Sequence, residues 1–234
     1  MLTAQRKDHL LALLKADGRV VTKDVAAELG ISEDSIRRDL REMDAAGLCQ
    51  RVYGGALAAS PAARPYGERL ELATESKERV ARAAVRLIRP GSTIILDAGT
   101  TTLAMAGLLP AELEVTVITP SPYVAIALAE HPLAEVFLIG GRLSRHSMVT
   151  GGALALEAIR RLRADQFFMG VTGVHPEAGL TTGDIDDAAT KRALAAQASE
   201  TYVLASREKV GVASAFPVIE RDRVAGIIVD PEAA

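Results

Sequence analysis

The chain of 234 residues has a single cysteine, Cys49, so it has no partner for an internal disulfide and no CxxC metal framework. No apolar run approaches the ~20 residues that span a bilayer. The stretch 1–18 is broken by charges every few positions and lacks the apolar core of a secretory signal, so the expected location is the cytoplasm. Neither GxxxxGK[ST] nor GxGxxG occurs. His131, His146 and His175 are scattered without ligand spacing, so no metal site and no cofactor is expected. Net positive charge is also missing. The whole chain carries 27 basic and 30 acidic residues, and residues 1–57 carry 9 of each. Nucleic-acid-binding domains are often basic, so any such role has to rest on where the cations sit.

What is present is a large apolar fraction, 49%, ample for a buried core in one large domain or two modest ones. Residues 1–46 have helical periodicity. Leu10, Leu11, Leu13 and Leu14 give a first helix its apolar face, and Gly18 ends it. Thr22 is placed to N-cap a short second helix, stopped by Gly30. Ser32 is placed to N-cap a third, with Glu33 and Asp34 in its first turn and Ile36, Leu40 and Met43 as its apolar stripe. A short strand over 48–53 and a Gly54-Gly55 turn follow. Residues 58–66 have two prolines and no periodicity, as a linker would.

Beyond residue 75, short apolar runs alternate with helical segments. The runs are 93–96, 114–118, 135–139, 166–171, 201–205 and 224–229. This alternation predicts an α/β sheet, mostly parallel and covered by helices on both faces. Ligands of such sheets sit at the carboxyl ends of the strands. The expected divisions are therefore a helical module with a short strand and turn over 1–57, a linker over 58–74 and an α/β domain over 75–234.

In Val25–Leu40, a helix, a glycine-containing turn and a second helix make a helix-turn-helix pattern. Its apolar positions close a three-helix core and leave Ser35, Arg37, Arg38 and Arg41 outside. Ser35 and Arg38 lie where a recognition helix meets base edges, and arginine bonds guanine bidentately. Arg37 and Arg41 fit phosphate contacts, and Arg51 fits a wing lying on the DNA backbone. An Arg-Arg pair is ordinarily just a solvated helix face. Here the helix-turn-helix spacing and the wing reverse that reading. The acids are awkward for it: Glu33 and Asp34 can exclude wrong bases, and Asp39 can pair with an arginine.

In the second half, Thr93–Leu96 leads into Asp97-Ala98-Gly99-Thr100-Thr101-Thr102, with a helix expected from near Thr102. A strand, a hydroxyl-rich glycine loop and a helix start make an anion cradle. Gly140-Gly141-Arg142 and Gly170-Val171-Thr172-Gly173 lie at further strand ends, where glycine lets backbone approach a ligand. Lys191 shares a helix face with Asp187, and Lys209 follows a strand. Both lysines are candidates to pair with the anion's charge. His146 lies in a loop positioned to close over the ligand.

SIRRDL at 35–40 and AAGLCQRVYGGAL at 45–57 together resemble the winged helix-turn-helix signature of DeoR-type bacterial transcriptional regulators. The resemblance implies that Ser32, Ser35, Arg37, Arg38, Arg41, Arg51, Tyr53 and Gly54 face DNA, with Ser35 where the family has Thr and Tyr53 where it has His. Residues 77–230 resemble the family's sugar-phosphate-binding domain, which is related in fold to ribose-5-phosphate isomerase. The resemblance assigns Asp97, Gly99, Thr100, Thr101, Thr102, Gly140, Gly141, Arg142, Thr172, Lys191 and Lys209 to the effector. Three departures stand out: Pro120 within the usual T-N-S, Thr172 for an Asp, and Ser206 for another Asp. They leave the phosphate half of the pocket intact and alter the sugar half.

The implied function is a DNA-binding transcriptional regulator, a repressor of sugar-metabolism genes relieved by a phosphorylated sugar. Its expected partners are a double-stranded DNA operator, a sugar-phosphate effector and further copies of itself, as a dimer or tetramer, with no membrane partner. The competing reading is a sugar-phosphate isomerase-like enzyme with a DNA-binding appendage. Aldose–ketose isomerisation needs a carboxylate base. Thr172 and Ser206 weaken that alternative, although Asp97, Asp184, Asp186 and Asp187 remain. The helix over 77–88, directly after the linker, is placed to relay pocket state to the DNA module.

Overall fold

The computed structural model describes residues 2–233. Helix α1 (Thr3–Asp17), strand β1 (Arg19–Val21), helix α2 (Thr22–Leu29) and helix α3 (Glu33–Ala45) begin the chain. Leu10, Leu14, Val25, Ala26, Ile36, Leu40 and Met43 bury their side chains in one core, as the apolar stripes require. Thr22 is the first residue of α2 and not its cap. Val21 holds the cap position, because β1 runs straight into the helix and the Thr22 N–H is taken by the Gly54 carbonyl at 2.8 Å. Strands β2 (Cys49–Val52) and β3 (Gly55–Ala58) form the wing, and β3 also pairs with β1. Any side chain at Gly55 would place its Cβ 1.8 Å from the Val20 carbonyl, so only glycine fits there.

The stretch read as a linker has structure of its own. Pro61 opens a 3-10 turn over 61–63, and Pro65 directly precedes helix α4 (Tyr66–Leu70). Two prolines break the segment into pieces too short to show periodicity. Their burial is supplied by the second domain. The Ser60 hydroxyl donates to the Thr172 carbonyl, the Tyr66 N–H donates to the His146 carbonyl at 2.8 Å, and the Tyr66 ring stacks on Tyr123 at 5.0 Å.

Next come helix α5 (Thr74–Val85), strand β4 (Thr93–Leu96), helix α6 (Thr100–Ala106), strand β5 (Val115–Thr119), helix α7 (Pro122–Ala127) and strand β6 (Ala134–Leu138). A hairpin, β7 (Arg142–Ser144) and β8 (Val149–Gly151), precedes helix α8 (Ala153–Ile159) and strand β9 (Ala164–Gly170). Strands β10 (Gly173–His175) and β11 (Gly179–Thr182), helix α9 (Ile185–Ala195), and strands β12 (Ala198–Ala205), β13 (Phe216–Pro217) and β14 (Gly226–Val229) complete the chain.

Six strands form one parallel sheet in the order β14-β12-β9-β4-β5-β6. Alternate residues of each strand serve opposite faces. Ile94 and Leu96 pack with Val80, Ala84, Met105 and Val124 beneath α5, α6 and α7. Ile95 packs with Phe167, Ile159, Ala188 and Leu194 beneath α8 and α9. The chain runs outward from β4 through β5 to β6, then returns to β9 on the other side of β4. The strand order thus reverses between β4 and β9, and a crevice opens there at their carboxyl ends. The small antiparallel sheet β10-β11-β13 and the β7-β8 hairpin carry no strong apolar alternation and were not expected from the sequence.

Candidate functional site

In the first domain, α3 presents Arg37, Arg38 and Arg41 to solvent, and the wing exposes Arg51 and Tyr53. Arg37, Arg51, Tyr53 and Gly54 line one open cleft between α3 and the wing, with Thr22 at its base. Arg38 and Arg41 lie outside that cleft. Of the acids of α3, Asp39 is withdrawn from this surface, whereas Glu33 and Asp34 remain on it, paired with Arg37. Asp39 turns inward, fully buried, and accepts from both Nε and Nη2 of Arg6 on α1. Glu33 and Asp34 hold Arg37, with Nη to carboxylate distances of 2.5 and 3.0 Å. Ser32 caps α3, its Oγ accepting from the Ser35 N–H at 3.3 Å, and the two hydroxyls lie 3.0 Å apart.

The second site is the crevice between β4 and β9. Its walls come from Gly99, Thr100, Thr101 and Thr102 after β4, Gly170, Val171 and Thr172 after β9, Thr182 at the end of β11, Asp184 and Asp187 at the start of α9, and Lys191 and Lys209. Helix α6 begins at Thr100, two residues earlier than expected, because Gly99 is extended and the Leu103 N–H already bonds to its carbonyl at 2.9 Å. At seven residues it is short, so the cavity's attraction for an anion rests on side-chain cations.

Three ionisable side chains hold one another at the base of the crevice. Lys191 is buried and bridges Asp97 and Asp187, the latter at 3.3 Å. Burial alone would lower the Lys191 ammonium, but Asp187 and Asp97 outweigh it and hold the proton on more tightly than usual. Asp97 lies under the cavity floor. Its Oδ1 accepts from the Ala98 N–H and its Oδ2 from the Gly170 N–H, both at 2.8 Å, so it pins the two ligand-facing loops together. The Thr102 hydroxyl is likewise spent inside the loop, on the Asp97 and Gly99 carbonyls at 2.7 and 2.9 Å.

Lys209 differs. It is buried, and its Nζ donates to the Thr101 hydroxyl at 3.1 Å. Burial, opposed by Glu208 and reinforced by the like charges of Lys77, Arg69 and Lys191, pushes its ammonium down to about 8. A cation destabilised in this way is one that a bound anion would relieve.

Of the residues expected at the effector, the structure thus brings Gly99, Thr100, Thr101, Thr102, Thr172, Lys191 and Lys209 to the cavity, with Asp97 directly beneath. It places Gly140, Gly141 and Arg142 elsewhere. Gly141 lies against β8, where a Cβ would meet the Gly151 carbonyl at 2.6 Å. Arg142 is exposed and bonds Asp186 at 3.2 Å. His146 and Ser147, in the β7-β8 turn, do line the cavity. The Ser206 hydroxyl turns to Glu208 at 2.7 Å, and the Pro120 carbonyl accepts from Thr150. Sequence reasoning missed Ala62 and Arg69, which enter the cavity from the segment read as a linker. The one local cue was Tyr66 three residues before Arg69, a spacing that lets the guanidinium lie over the ring, here 5.3 Å from its centre. No group of three or more His, Cys, Asp or Glu side chains is arranged to hold a metal among the described residues.

Comparison with known proteins accounts for both sites. A family model described as the DeoR-like helix-turn-helix domain matches residues 6–62, and one described as the DeoR C terminal sensor domain matches residues 72–231. The chain is 34% identical over 232 residues to a putative aga operon transcriptional repressor of Escherichia coli O157:H7, covering 97% of this chain and 86% of that one. It is 31% identical over 232 residues to the transcriptional repressor GlcR of Bacillus subtilis (98% and 89% covered). It is 32% identical over 213 residues to the glycerol-3-phosphate regulon repressor of Escherichia coli K12 (90% and 84% covered). Among solved structures, a ribose 5-phosphate isomerase of Methanocaldococcus jannaschii is similar with a TM-score of 0.43 and 20% identity, over 58% of this chain and 54% of that one. The three sequence relatives are all named as repressors. The chain belongs to the DeoR family of DNA-binding transcriptional regulators.

Proposed function

We propose that this regulator is a repressor that holds operator DNA through α3 and the wing, and that a phosphorylated sugar or polyol filling the β4-β9 crevice releases it. The observation that carries this reading is Lys209, a buried cation lining the cavity and bonded to the Thr101 hydroxyl, where burial and the repulsion of Lys77, Arg69 and Lys191 together outweigh Glu208. A phosphate group supplies the missing charge, and Thr100 and Thr101 offer it hydroxyl donors. The aga operon and glycerol-3-phosphate regulon named for two relatives fit an effector of this class.

At the other end of the crevice, Thr172, Thr182, Asp184 and Asp187 face the remainder of the ligand. Carboxylates there accept from sugar hydroxyls, while Thr172 in place of the family's Asp removes one such acceptor. On the DNA, Arg38 and Ser35 read base edges. Arg37, Arg41, Arg51 and the wing tip at Tyr53 and Gly54 hold phosphates. Helix-turn-helix proteins match pseudo-palindromic operators as symmetric oligomers, so the working form is a dimer or tetramer, located with the DNA in the cytoplasm.

The test is thermal denaturation of the full chain against sugar phosphates, the matching free sugars and inorganic phosphate. A ligand at 100 times its Kd adds about 2.7 kcal/mol. Stabilisation by phosphorylated but not free sugars, lost in Lys209→Ala, is expected. Equal stabilisation by free and phosphorylated sugars would sink the phosphate reading.

A further inference from the structure

The cavity is not built by the sensor domain alone. Ala62 and Arg69 reach it from the strap over 59–70, which joins the wing to the sensor. The strap starts one residue after β3, where Ala59 forms a bridge with Ala213 of the sensor. Ser60 is tied to the Thr172 carbonyl, and Thr172 itself lines the cavity. At the far end, the buried Lys77 ammonium donates to the Arg69 carbonyl. Between these anchors the Arg69 guanidinium lies over the Tyr66 ring, and its Nε is buried without a hydrogen-bond partner among the described residues. Burial makes its charge costly; Tyr66, Asp187 and Asp97 offset that only in part. A guanidinium half-buried at a cavity wall, with an unused donor and cationic neighbours, is arranged for an oxyanion that is not a protein side chain.

The geometry points to Arg69 as an effector-binding residue delivered by the strap, so that occupancy of the pocket is read directly as tension on the root of the wing. This rests on the phosphate reading above and adds the element that transmits it. An anion held between Lys209 of the sensor and Arg69 of the strap clamps the two together. The Tyr66–Tyr123 stack and the Tyr66–His146 hydrogen bond, already formed, are held in the same clamped unit. On the N-terminal side, β3 leads directly into the strap and pairs with both β1 and β2, so the wing and α2 follow the strap's position. The first domain already rests on the sensor through Arg19 and Glu177 at 2.5 Å, which gives the clamp a surface to press against. Linkage then follows: a ligand that binds the clamped state more tightly shifts the DNA-binding domain toward it.

The experiment uses the full chain and inorganic phosphate, with ribose 5-phosphate as a larger ligand. Affinity is measured by calorimetry, and amide hydrogen exchange is followed in 59–70 and in 97–102. In the wild type, either ligand is expected to slow exchange in both segments. Arg69→Gln is expected to weaken binding roughly 10–100-fold, as loss of a charged hydrogen-bond donor does. It should leave the melting temperature without ligand unchanged or raised, since a buried cation among cations is removed. At saturating ligand, Arg69→Gln should still protect 97–102 but no longer protect 59–70. The inference is overturned if Arg69→Gln binds as tightly as the wild type while Lys209→Ala has lost binding. It is also overturned if wild-type protection stops at 97–102. If Lys209→Ala binds normally as well, the phosphate reading of the pocket itself has failed.

Discussion

The two halves of this chain both gather cations, and they do it in opposite ways. On α3 and the wing, Arg37, Arg38, Arg41 and Arg51 stand in solvent. In the crevice, Lys191 and Lys209 are buried. Exposed arginines cost little to keep charged, and salt screens them readily. That suits a long polyanion, where many weak contacts add and registry can shift. Buried lysines are costly to keep charged and barely screened, which suits one compact anion in one position. The DNA surface should therefore respond steeply to ionic strength, and the pocket should respond to pH.

The contrast is broken most severely at Lys191. Lys191→Ala leaves Asp97 and Asp187 buried and facing each other with their shared cation gone. Removing one partner from a buried ion network costs about 3–5 kcal/mol. Chemical denaturation should show a loss of that size. The equivalent change on the exposed side, Arg37→Ala, removes contacts to Glu33 and Asp34 that solvent already screens and should move stability by well under 1 kcal/mol. Comparable losses for the two variants would show that the burial difference has no energetic meaning.

The next effect concerns DNA. Arg38→Ala is expected to cost about 1–3 kcal/mol on the preferred site and to flatten discrimination at one base position. Arg37→Ala should weaken all sequences alike and reduce the salt slope by about one counterion. Fluorescence anisotropy on the gene's upstream region, at several salt concentrations, separates the two. If Arg37→Ala alters base preference while Arg38→Ala does not, their assigned roles are exchanged.

The pocket's pH response is smaller and carries two signs. Lys209 must be protonated to hold an anion, and its ammonium titrates near 8 in the empty protein. Affinity for a phosphate monoester should be nearly level from pH 7 to 8 and then fall toward about tenfold per unit. Stability of the empty protein should move the other way. An unfolded lysine holds its proton up to about 10.4. Between 8 and that value the unfolded chain binds more protons than the folded one, so stability rises with pH across that window. Below 8 both states are protonated and the cost is constant. Calorimetry gives the first slope and denaturant titration the second. If both fall together, Lys209 is not the titrating group.

The parts of this design that were legible in the sequence are those with a local signal. The apolar stripe at Ile36, Leu40 and Met43 and the βα turn at Asp97–Thr102 each lie within one short window; the stripe forms as the spacing implies, and the turn forms with its helix starting two residues early. Asp39 was ambiguous because its partner, Arg6, is 33 positions away. The strap escaped notice for a related reason. Tyr66 and Arg69 mean little within their own helical turn and acquire roles only against Tyr123 and the crevice. The helix expected over 77–88 forms over Thr74–Val85, and the segment before it is the one that supplies Ala62 and Arg69 to the pocket. At Gly141 a Cβ would meet the Gly151 carbonyl, while Gly140 has open space around it, and no local signal separates such a pair from glycines that let backbone approach a ligand.

The smallest expected effect lies at the start of α3. Ser32 accepts from the Ser35 N–H and touches the Ser35 hydroxyl, in a helix whose first turn also carries the Glu33 and Asp34 clasp on Arg37. Ser32→Ala should cost about 1 kcal/mol of stability through the lost cap. On DNA it should cost more than that suggests, because fraying of the first turn displaces Ser35 and loosens the clasp that aims Arg37. Ser32→Asp restores the cap by supplying an acceptor, but adds a negative charge beside the DNA. Stability should therefore recover in Ser32→Asp while DNA affinity drops below that of Ser32→Ala, and the drop should shrink at high salt. If Ser32→Asp recovers both, Ser32 does not face the DNA and its part is confined to the helix.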